Sequence, residues 1–273
     1  MKTFSARRLR NLSLLTLASL TVIIVAQLDR SNLGHTNFLT GWTLFVLMLL
    51  LALFNLRKKL PMLRLGSGAA WTQLHVYVGF LSLVLFLVHL DFSLPRGYLE
   101  NLLALLFSLV ALSGLVGLWL SRNIPARLTR RGENILFERI PAFRAHLQSE
   151  VEDMISKAVQ EHGSRTLPEF YNKRLRNFFA GPRNFLAHIV ESRRPYHHLA
   201  GRMDALNRYL NDEEKLILAE IHDRVSTKDH LDYQFAGQAL LKYWLFVHIP
   251  LTYGMLFCVL THALTVYVFM GGA

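Results

Sequence analysis

The sequence has little cysteine and few charged residues for its length. Among 273 residues there is one cysteine, Cys258, and Asp, Glu, Lys and Arg together make up only 18%. A single thiol excludes an internal disulfide, a cysteine-ligated iron–sulfur cluster, a cysteine-rich zinc site and a covalently attached c-type haem, since each needs at least two. Any cofactor is therefore held by histidine, or without a covalent bond to the protein.

Acidic residues are also scarce relative to basic ones. The chain has 19 Asp and Glu against 30 Lys and Arg, which gives a formal net charge of +11 with neutral histidine. A charge of this sign is by itself typical of nucleic-acid binders. However, 52% of the residues are hydrophobic and the mean hydropathy is +0.28, values that a soluble basic domain does not normally reach. The composition therefore favours a membrane protein in contact with lipid, with no nucleic-acid partner.

Five segments are predicted as transmembrane helices, because a hydrocarbon core of about 30 Å needs roughly 20 apolar residues. They are Leu12–Leu28, Gly41–Leu56, Ala69–Leu90, Leu102–Leu120 and Tyr243–Met270. The first four lie within residues 1–120 and the fifth within residues 243–273. The first follows basic residues, as a signal peptide does, but its length favours an uncleaved anchor.

Basic residues in the short connections predict the orientation. Eight lie at the N-terminus and between the second and third spans, whereas two lie on the opposite side. The eight are Lys2, Arg7, Arg8, Arg10, Arg57, Lys58, Lys59 and Arg64, and the two are Arg30 and Arg96. We therefore expect a multi-pass protein of a bacterial-type inner membrane, with its N-terminus in the cytoplasm and its C-terminus outside.

Residues 121–242 form a polar stretch that is too long for a loop and is predicted as a cytoplasmic domain. Its pattern is helical, with one helix over Ala142–His162 closed by Gly163 and another beginning at Asp212. From Gly132 to Lys242 it has 16 basic and 16 acidic residues, so the excess positive charge lies mainly at the membrane. The predicted fold class is an all-α integral membrane protein, with five helices in a bundle and a helical domain between the fourth and fifth.

The two helices predicted in this domain each have an apolar face that we expect to be buried. The residues of these faces are Phe143, Leu147, Val151, Met154, Ile155 and Ala158 in the first helix, and Leu216, Leu218, Ile221 and Val225 in the second.

Four histidines lie within the predicted spans, His75 and His89 on the third and His248 and His262 on the fifth. Ionisable residues in membrane spans are uncommon and usually mark function. Each pair is separated by 14 residues, which in a helix returns to within about 40° of the starting direction after a rise of about 21 Å. Each helix therefore has one histidine near its inner end and one near its outer end, on the same face.

The predicted orientation pairs these histidines across two helices. Because the third and fifth spans run in the same direction, His75 can face His248 at an inner level and His89 can face His262 at an outer level. Such pairs suit low-spin electron-transfer haem, whose iron needs no open coordination position. We expect the four to be axial ligands of two haem b groups. The alternatives are ordinary packing of each ring, a proton relay or another metal site, although no membrane carboxylate accompanies the histidines except Asp91 at the outer boundary.

The paired spacing resembles that of the diheme membrane cytochromes b, including the cytochrome b subunit of quinol:cytochrome c oxidoreductases. The placement on a third and a fifth helix is also similar to the membrane domain of ferric reductases and NADPH oxidases. This resemblance covers the membrane helices, about half of the chain, and it depends on the four histidines. It implies transmembrane electron transfer, often from or to quinone. No flavin or nicotinamide domain accompanies these helices, and the large cytoplasmic insertion is foreign to both groups.

The favoured function is a diheme cytochrome b that carries electrons across the membrane. It would exchange them with quinone or quinol and with a c-type cytochrome, an iron–sulfur protein or a flavoprotein. Quinone is thus a further candidate cofactor. The alternatives are the membrane subunit of a ferric or oxygen reductase and a non-redox membrane anchor, so whether the chain belongs to an enzyme stays open.

Small residues next to the histidines are candidates for lining a haem. Gly79 follows His75 by one turn, and Gly114 and Gly117 lie on the fourth span, although close helix packing explains these glycines equally well. Arg96, in the outer loop, is the basic residue best placed for an outer haem propionate.

Aromatic and polar residues near the inner ends of the spans are further candidates. Trp71 and Trp244 each precede an inner histidine by four residues, which suits either a cover over the inner haem or an interfacial aromatic belt. Tyr233, Lys242 and Tyr243 lead into the fifth span, where they could line a quinone pocket.

Overall fold

The computed structural model describes residues 4–31, 36–55, 67–130 and 135–270. Within these ranges the chain consists of helices and connections without strands, which confirms the all-α prediction. The long helices are α1 (Phe4–Ser31), α2 (Thr36–Ala52), α3 (Gly68–His89), α4 (Tyr98–Arg130) and α5 (Ile140–His162). They are followed by the short helices α6 (Thr166–Phe170), α7 (Arg176–Phe179), α8 (Phe185–Ile189) and α9 (Arg194–Leu206), and by the long helix α10 (Asp212–Met270).

Three of the described helices, α3, α4 and α10, are long and apolar enough to cross a membrane. Their most apolar windows have mean hydropathies of 1.7, 2.3 and 1.6. The apolar stretches of α1 and α2 are shorter, at Ser13–Val25 and Phe38–Ala52. Helix α2 ends at Ala52 in a 3-10 turn over Leu53–Asn55, and Leu56 lies outside the described residues. A membrane protein is therefore supported, while five spans stay a prediction.

The chain divides into two units, which we describe separately. The membrane unit contains the described residues up to Leu118 and those from Leu245 onward, and the helical unit is Trp119–Trp244. Helices α4 and α10 each contribute to both.

The membrane unit has a small apolar core at its middle, which we call the central cluster. In this unit α3 packs along α2 and against α1. The central cluster consists of buried residues from four helices, namely Leu44, Met48, Leu85, Phe107 and Met255. Many large apolar side chains on the outside of the same helices are exposed, which is the pattern expected where helices face lipid.

The helices of the helical unit begin and end at recognisable signals. Helix α5 ends at Gly163, which adopts the left-handed conformation (φ +62°) that glycine reaches without strain. Helix α10 begins with a reciprocal cap, in which Glu214 N–H donates to Asn211 Oδ1 (2.8 Å) and Asn211 N–H donates to Glu214 Oε2 (3.0 Å). Both boundaries confirm the sequence prediction.

The predicted apolar faces are buried except at their edges. Leu147, Val151, Ile155, Ala158, Leu218, Ile221 and Val225 are buried, and Met154 is partly buried against them. The prediction was wrong for Phe143 and Leu216, which are 45% and 70% exposed. Leu216 precedes Leu218 by two residues, about 200° around the helix, so it lies on the opposite side from the buried stripe. Phe143 is displaced by about 100° from the buried Arg144 and lies at the margin.

Candidate functional site in the membrane unit

The structure brings His75 and His248 together. His75 lies in the second turn of α3, and its ring is near enough to His248 for the charge of one to act on the other. The His75 ring also contacts Phe54, which follows α2, with 4.8 Å between the ring centroids. These two histidines are the pair expected at the inner level.

His89 and His262 are brought together in the same way. His89 is the last residue of α3, and its Nδ1 lies 3.0 Å from Oγ1 of Thr40 on α2, a hydroxyl-bearing residue that is only 3% exposed. A Cβ added to Gly41 would lie 3.1 Å from Cε1 of His89, which is closer than an ordinary carbon contact. The backbone of α2 therefore borders the His89 ring on one side, and a side chain at position 41 would require the ring to shift by a few tenths of an ångström.

The hydrogen bonding of Ser113 indicates which nitrogen of His248 carries the hydrogen. Ser113 Oγ lies 2.7 Å from His248 Nδ1 and 2.8 Å from the carbonyl oxygen of Val110, to which its hydroxyl donates. A hydroxyl has a single hydrogen, so Nδ1 of His248 is then the donor and Ser113 Oγ the acceptor. In this assigned tautomer the lone pair with which a histidine binds a metal is on Nε2.

Nδ1 of His75 is inaccessible to solvent and has no hydrogen bond of ordinary geometry. The backbone of Leu51 is nonetheless near enough to interact with the ring. The ring borders a small cavity whose walls include Leu51, Phe54 and Trp71. A neutral imidazole in such surroundings suits a haem iron, which requires one nitrogen from each of two histidines.

The glycines on the two histidine-bearing helices border open space. A Cβ added at Gly79 on α3 or at Gly254 on α10 would meet no neighbouring atom within 4 Å, but Gly254 is exposed and Gly79 only partly buried, so this space is not an enclosed pocket. A metal held entirely by protein is less well supported, because no group of three or more His, Cys, Asp or Glu side chains gathers among the described residues. Two imidazoles at each level are the donor set that a bis-histidine haem requires.

The remaining small residues and Arg96 have different positions. Gly114 lies next to His248, with its added Cβ 3.8 Å from Cε1 of the ring, and Gly117 is buried one turn further along α4. Arg96 is exposed in the loop between α3 and α4. Glu100, at the beginning of α4, is near enough to act electrostatically on His89, and the sequence reasoning missed it.

The two tryptophans belong to different units. Trp71 is beside His75 in the cavity wall, whereas Trp244 packs in the helical unit against a cluster that includes Leu120 and Ile124. A cover over the inner level built from both tryptophans stays a prediction.

The residues proposed for quinone each contact a different neighbour in the helical unit. The hydroxyl of buried Tyr233 donates to Glu191 Oε1 (3.1 Å), and Lys242 Nζ donates to Glu138 Oε1 (2.8 Å). The ring of Tyr243, which is half exposed, lies 6.2 Å from that of Phe185. A quinone pocket at these residues stays a prediction.

None of the family models, curated proteins or solved structures compared with the chain matches it. The resemblance to diheme cytochromes therefore depends on the four histidines and their surroundings.

Proposed function

We propose that this chain is a two-haem b-type cytochrome that conducts electrons across a bacterial-type inner membrane. The observation that carries the proposal is the pairing of His75 with His248 and of His89 with His262, at equal separations along two helices. Packing alone would not require four histidines to meet as two pairs. Each haem, when bound, would supply a one-electron change between ferric and ferrous iron.

The protein's own contribution is to orient the ligands. Ser113 holds the His248 ring through Nδ1, and Thr40 contacts Nδ1 of His89. Hydrogen bonds of this kind fix the ring orientation and leave Nε2 directed at the metal. The ring of His75 is positioned by packing against Phe54 instead.

The central cluster separates the two histidine levels. Leu85 lies between His75 and His89 on α3, and Met255 is midway between His248 and His262 on α10. A separation of 14 residues corresponds to a rise of about 21 Å, so electrons would pass between the levels through an apolar, dry layer. This arrangement favours transfer between two haems and excludes water from the path.

The electrons would enter and leave by quinone or quinol and by a partner redox protein. A c-type cytochrome, an iron–sulfur protein or a flavoprotein would complete the circuit.

The haem content of the purified full chain tests the proposal. We expect a dithionite-reduced b-type spectrum with two haems per chain. Replacing any one of the four histidines by leucine should remove one haem. The two variants of one pair should lose the same haem, identified by its midpoint potential. His146→Leu is the matched control, because His146 is exposed in the helical unit and should leave both haems in place. Absence of haem, or retention of both haems in all four variants, would refute the proposal.

Electron exchange with quinone has its own test. A soluble quinone analogue should reoxidise the reduced chain faster than ferric citrate does. The opposite order would favour the ferric reductase alternative while leaving the two-haem assignment intact.

A further inference from the structure

A cleft in the helical unit gathers basic side chains away from the four histidines. It encloses about 270 Å³ between the π-turn Tyr171–Leu175, helix α7 and helix α9. Its polar walls are Arg174, Asn184, His198 and Arg202, and its apolar walls include Phe178 and Leu199.

The cleft has cationic walls and no acidic one. Arg202 Nη2 lies 3.5 Å from His198 Nε2, and neither Arg174 nor Arg202 forms an ion pair with a carboxylate of the described residues. Like charges around one concave surface repel each other, and a bound anion would relieve that repulsion.

The side chains around the cleft match the chemistry of phosphate. Guanidinium groups present planar, paired donors that fit phosphate oxygens, and the Asn184 amide adds a neutral donor. The buried ring of Phe178 is held in place by Lys228, whose Nζ lies 4.0 Å from its centroid, so this apolar wall is fixed. Ligand cavities commonly enclose about 300–1,000 Å³, so a volume at the lower limit suits a phosphate group with a short carbon body.

We propose that this cleft binds the phosphate group of a small phosphorylated molecule or of an anionic lipid headgroup. Arg174 and Arg202 supply the charge-assisted hydrogen bonds, and His198 and Asn184 complete the polar wall. The proposal is independent of haem, because every residue it uses lies in the helical unit.

Titration of the full chain in a non-ionic detergent tests the site with two probes, inorganic phosphate and dihexanoyl phosphatidic acid. We expect saturable binding of one phosphate group per chain, weakened at least tenfold by Arg174→Gln and by Arg202→Gln, since a hydrogen bond to a charged group is worth about 1.5–3 kcal/mol. Arg208→Gln is the matched control. It removes the same charge, but Arg208 is exposed and lies outside the cleft. Tighter binding of the lipid probe would identify a lipid headgroup as the natural ligand. Equal or tighter binding of inorganic phosphate would identify a soluble phosphorylated molecule instead.

A second measurement avoids the variants. Phenylglyoxal modifies exposed arginines, and saturating phosphate probe should protect Arg174 and Arg202 at least fivefold while Arg208 reacts at an unchanged rate. Absence of saturable binding of both probes, undiminished binding in both variants, or no protection of the two arginines would overturn the proposal.

Discussion

Oγ of Ser113 on α4 lies 2.7 Å from Nδ1 of His248 on α10, although the two residues are 135 positions apart in the sequence. Because the serine hydroxyl also donates to the carbonyl of Val110, it accepts from the imidazole. A serine on one helix thereby fixes the tautomer of a histidine on another.

On the proposed assignment, Ser113→Ala should change the haem that His248 would hold. Loss of the acceptor makes the imidazole a weaker electron donor, so the ferrous state gains stability relative to the ferric state. We expect the midpoint potential of one haem to rise by roughly 20–60 mV, the equivalent of a hydrogen bond worth about 0.5–1.5 kcal/mol. A redox titration followed by absorbance measures this. Ser108→Ala, which removes a hydroxyl bonded to its own helix, should leave both potentials unchanged.

Gly41→Val should disturb the His89–His262 pair. A Cβ at position 41 would already lie 3.1 Å from His89 Cε1, so a branched side chain must displace the ring from Thr40. We expect the haem content to fall from two towards one per chain, measured by pyridine haemochrome. Gly201→Val is the control, because its added Cβ meets nothing within 4 Å. Full haem content in Gly41→Val would contradict the assigned contact.

Breaking the buried ion pair of Lys228 and Asp232 should destabilise the helical unit. Both side chains are almost inaccessible, and Lys228 Nζ also donates to the carbonyl of Gly181. Lys228→Met leaves a buried carboxylate unpaired and should lower the free energy of unfolding by about 3–5 kcal/mol, whereas Lys228→Met with Asp232→Leu should lower it less. Guanidinium unfolding of the full chain measures both. Lys215→Met, at a half-exposed pair, should have a small effect.

The same lysine predicts a pH dependence. Burial lowers the pKa of Lys228 to about 8, with the charge of Asp232 opposing the shift. Between about pH 8 and the usual value of 10.5 the unfolded chain holds more protons than the folded chain, so this group makes stability increase as pH rises. The unsubstituted chain should therefore gain stability relative to Lys228→Met across this interval. A constant difference between the two would contradict the lowered pKa.

Tyr171→Phe should destabilise the helical unit by about 1 kcal/mol near neutral pH, because the Tyr171 hydroxyl donates to Glu152 Oε1 (2.6 Å). That hydrogen bond, with one from Gln148, lowers the pKa of Glu152 below its usual value of 4.5. The stabilisation is thus present above pH 4.5 and is lost as pH falls through the lowered pKa. The difference in unfolding temperature between Tyr171→Phe and the unsubstituted chain should shrink at pH 3. Tyr209→Phe, at an exposed site, should unfold at the same temperature as the unsubstituted chain at both pH values.

The predicted topology can be tested by labelling in a Cys258→Ser background. In intact bacterial cells a membrane-impermeant maleimide should react with Ser93→Cys, in the loop after α3, and not with Ser149→Cys, on α5. Both positions should react once the cells are opened, which controls for accessibility. Reaction of Ser149→Cys in intact cells would reverse the predicted orientation.

The helices and the histidine pairs were accessible to sequence reasoning for different physical reasons. Helix α5 was predictable because its apolar residues recur every three or four positions and Gly163 permits the left-handed end. The histidine pairing followed from two equal separations of 14 residues and from the charge bias that sets helix direction.

Contacts from neighbouring helices were not accessible. Thr40 and Gly41 lie in an ordinary apolar stretch of α2, and nothing local indicates that they face His89. The sequence also does not show how far α2 is shifted along α3, and this shift decides which α2 residues lie level with each histidine. Ser113 was noted for its size, but its contact with His248 depends on how α4 and α10 pack.

The central cluster has an electrical consequence. The two histidine levels are separated by a rise of about 21 Å, roughly 70% of a hydrocarbon core of about 30 Å. An electron that passes from one level to the other therefore crosses most of the transmembrane voltage. At about 2.3 kcal/mol per charge per 100 mV for the whole membrane, the step changes in free energy by roughly 1.6 kcal/mol per 100 mV. The proposed electron transfer would thus be electrogenic, so the membrane voltage would speed it in one direction and slow it in the other.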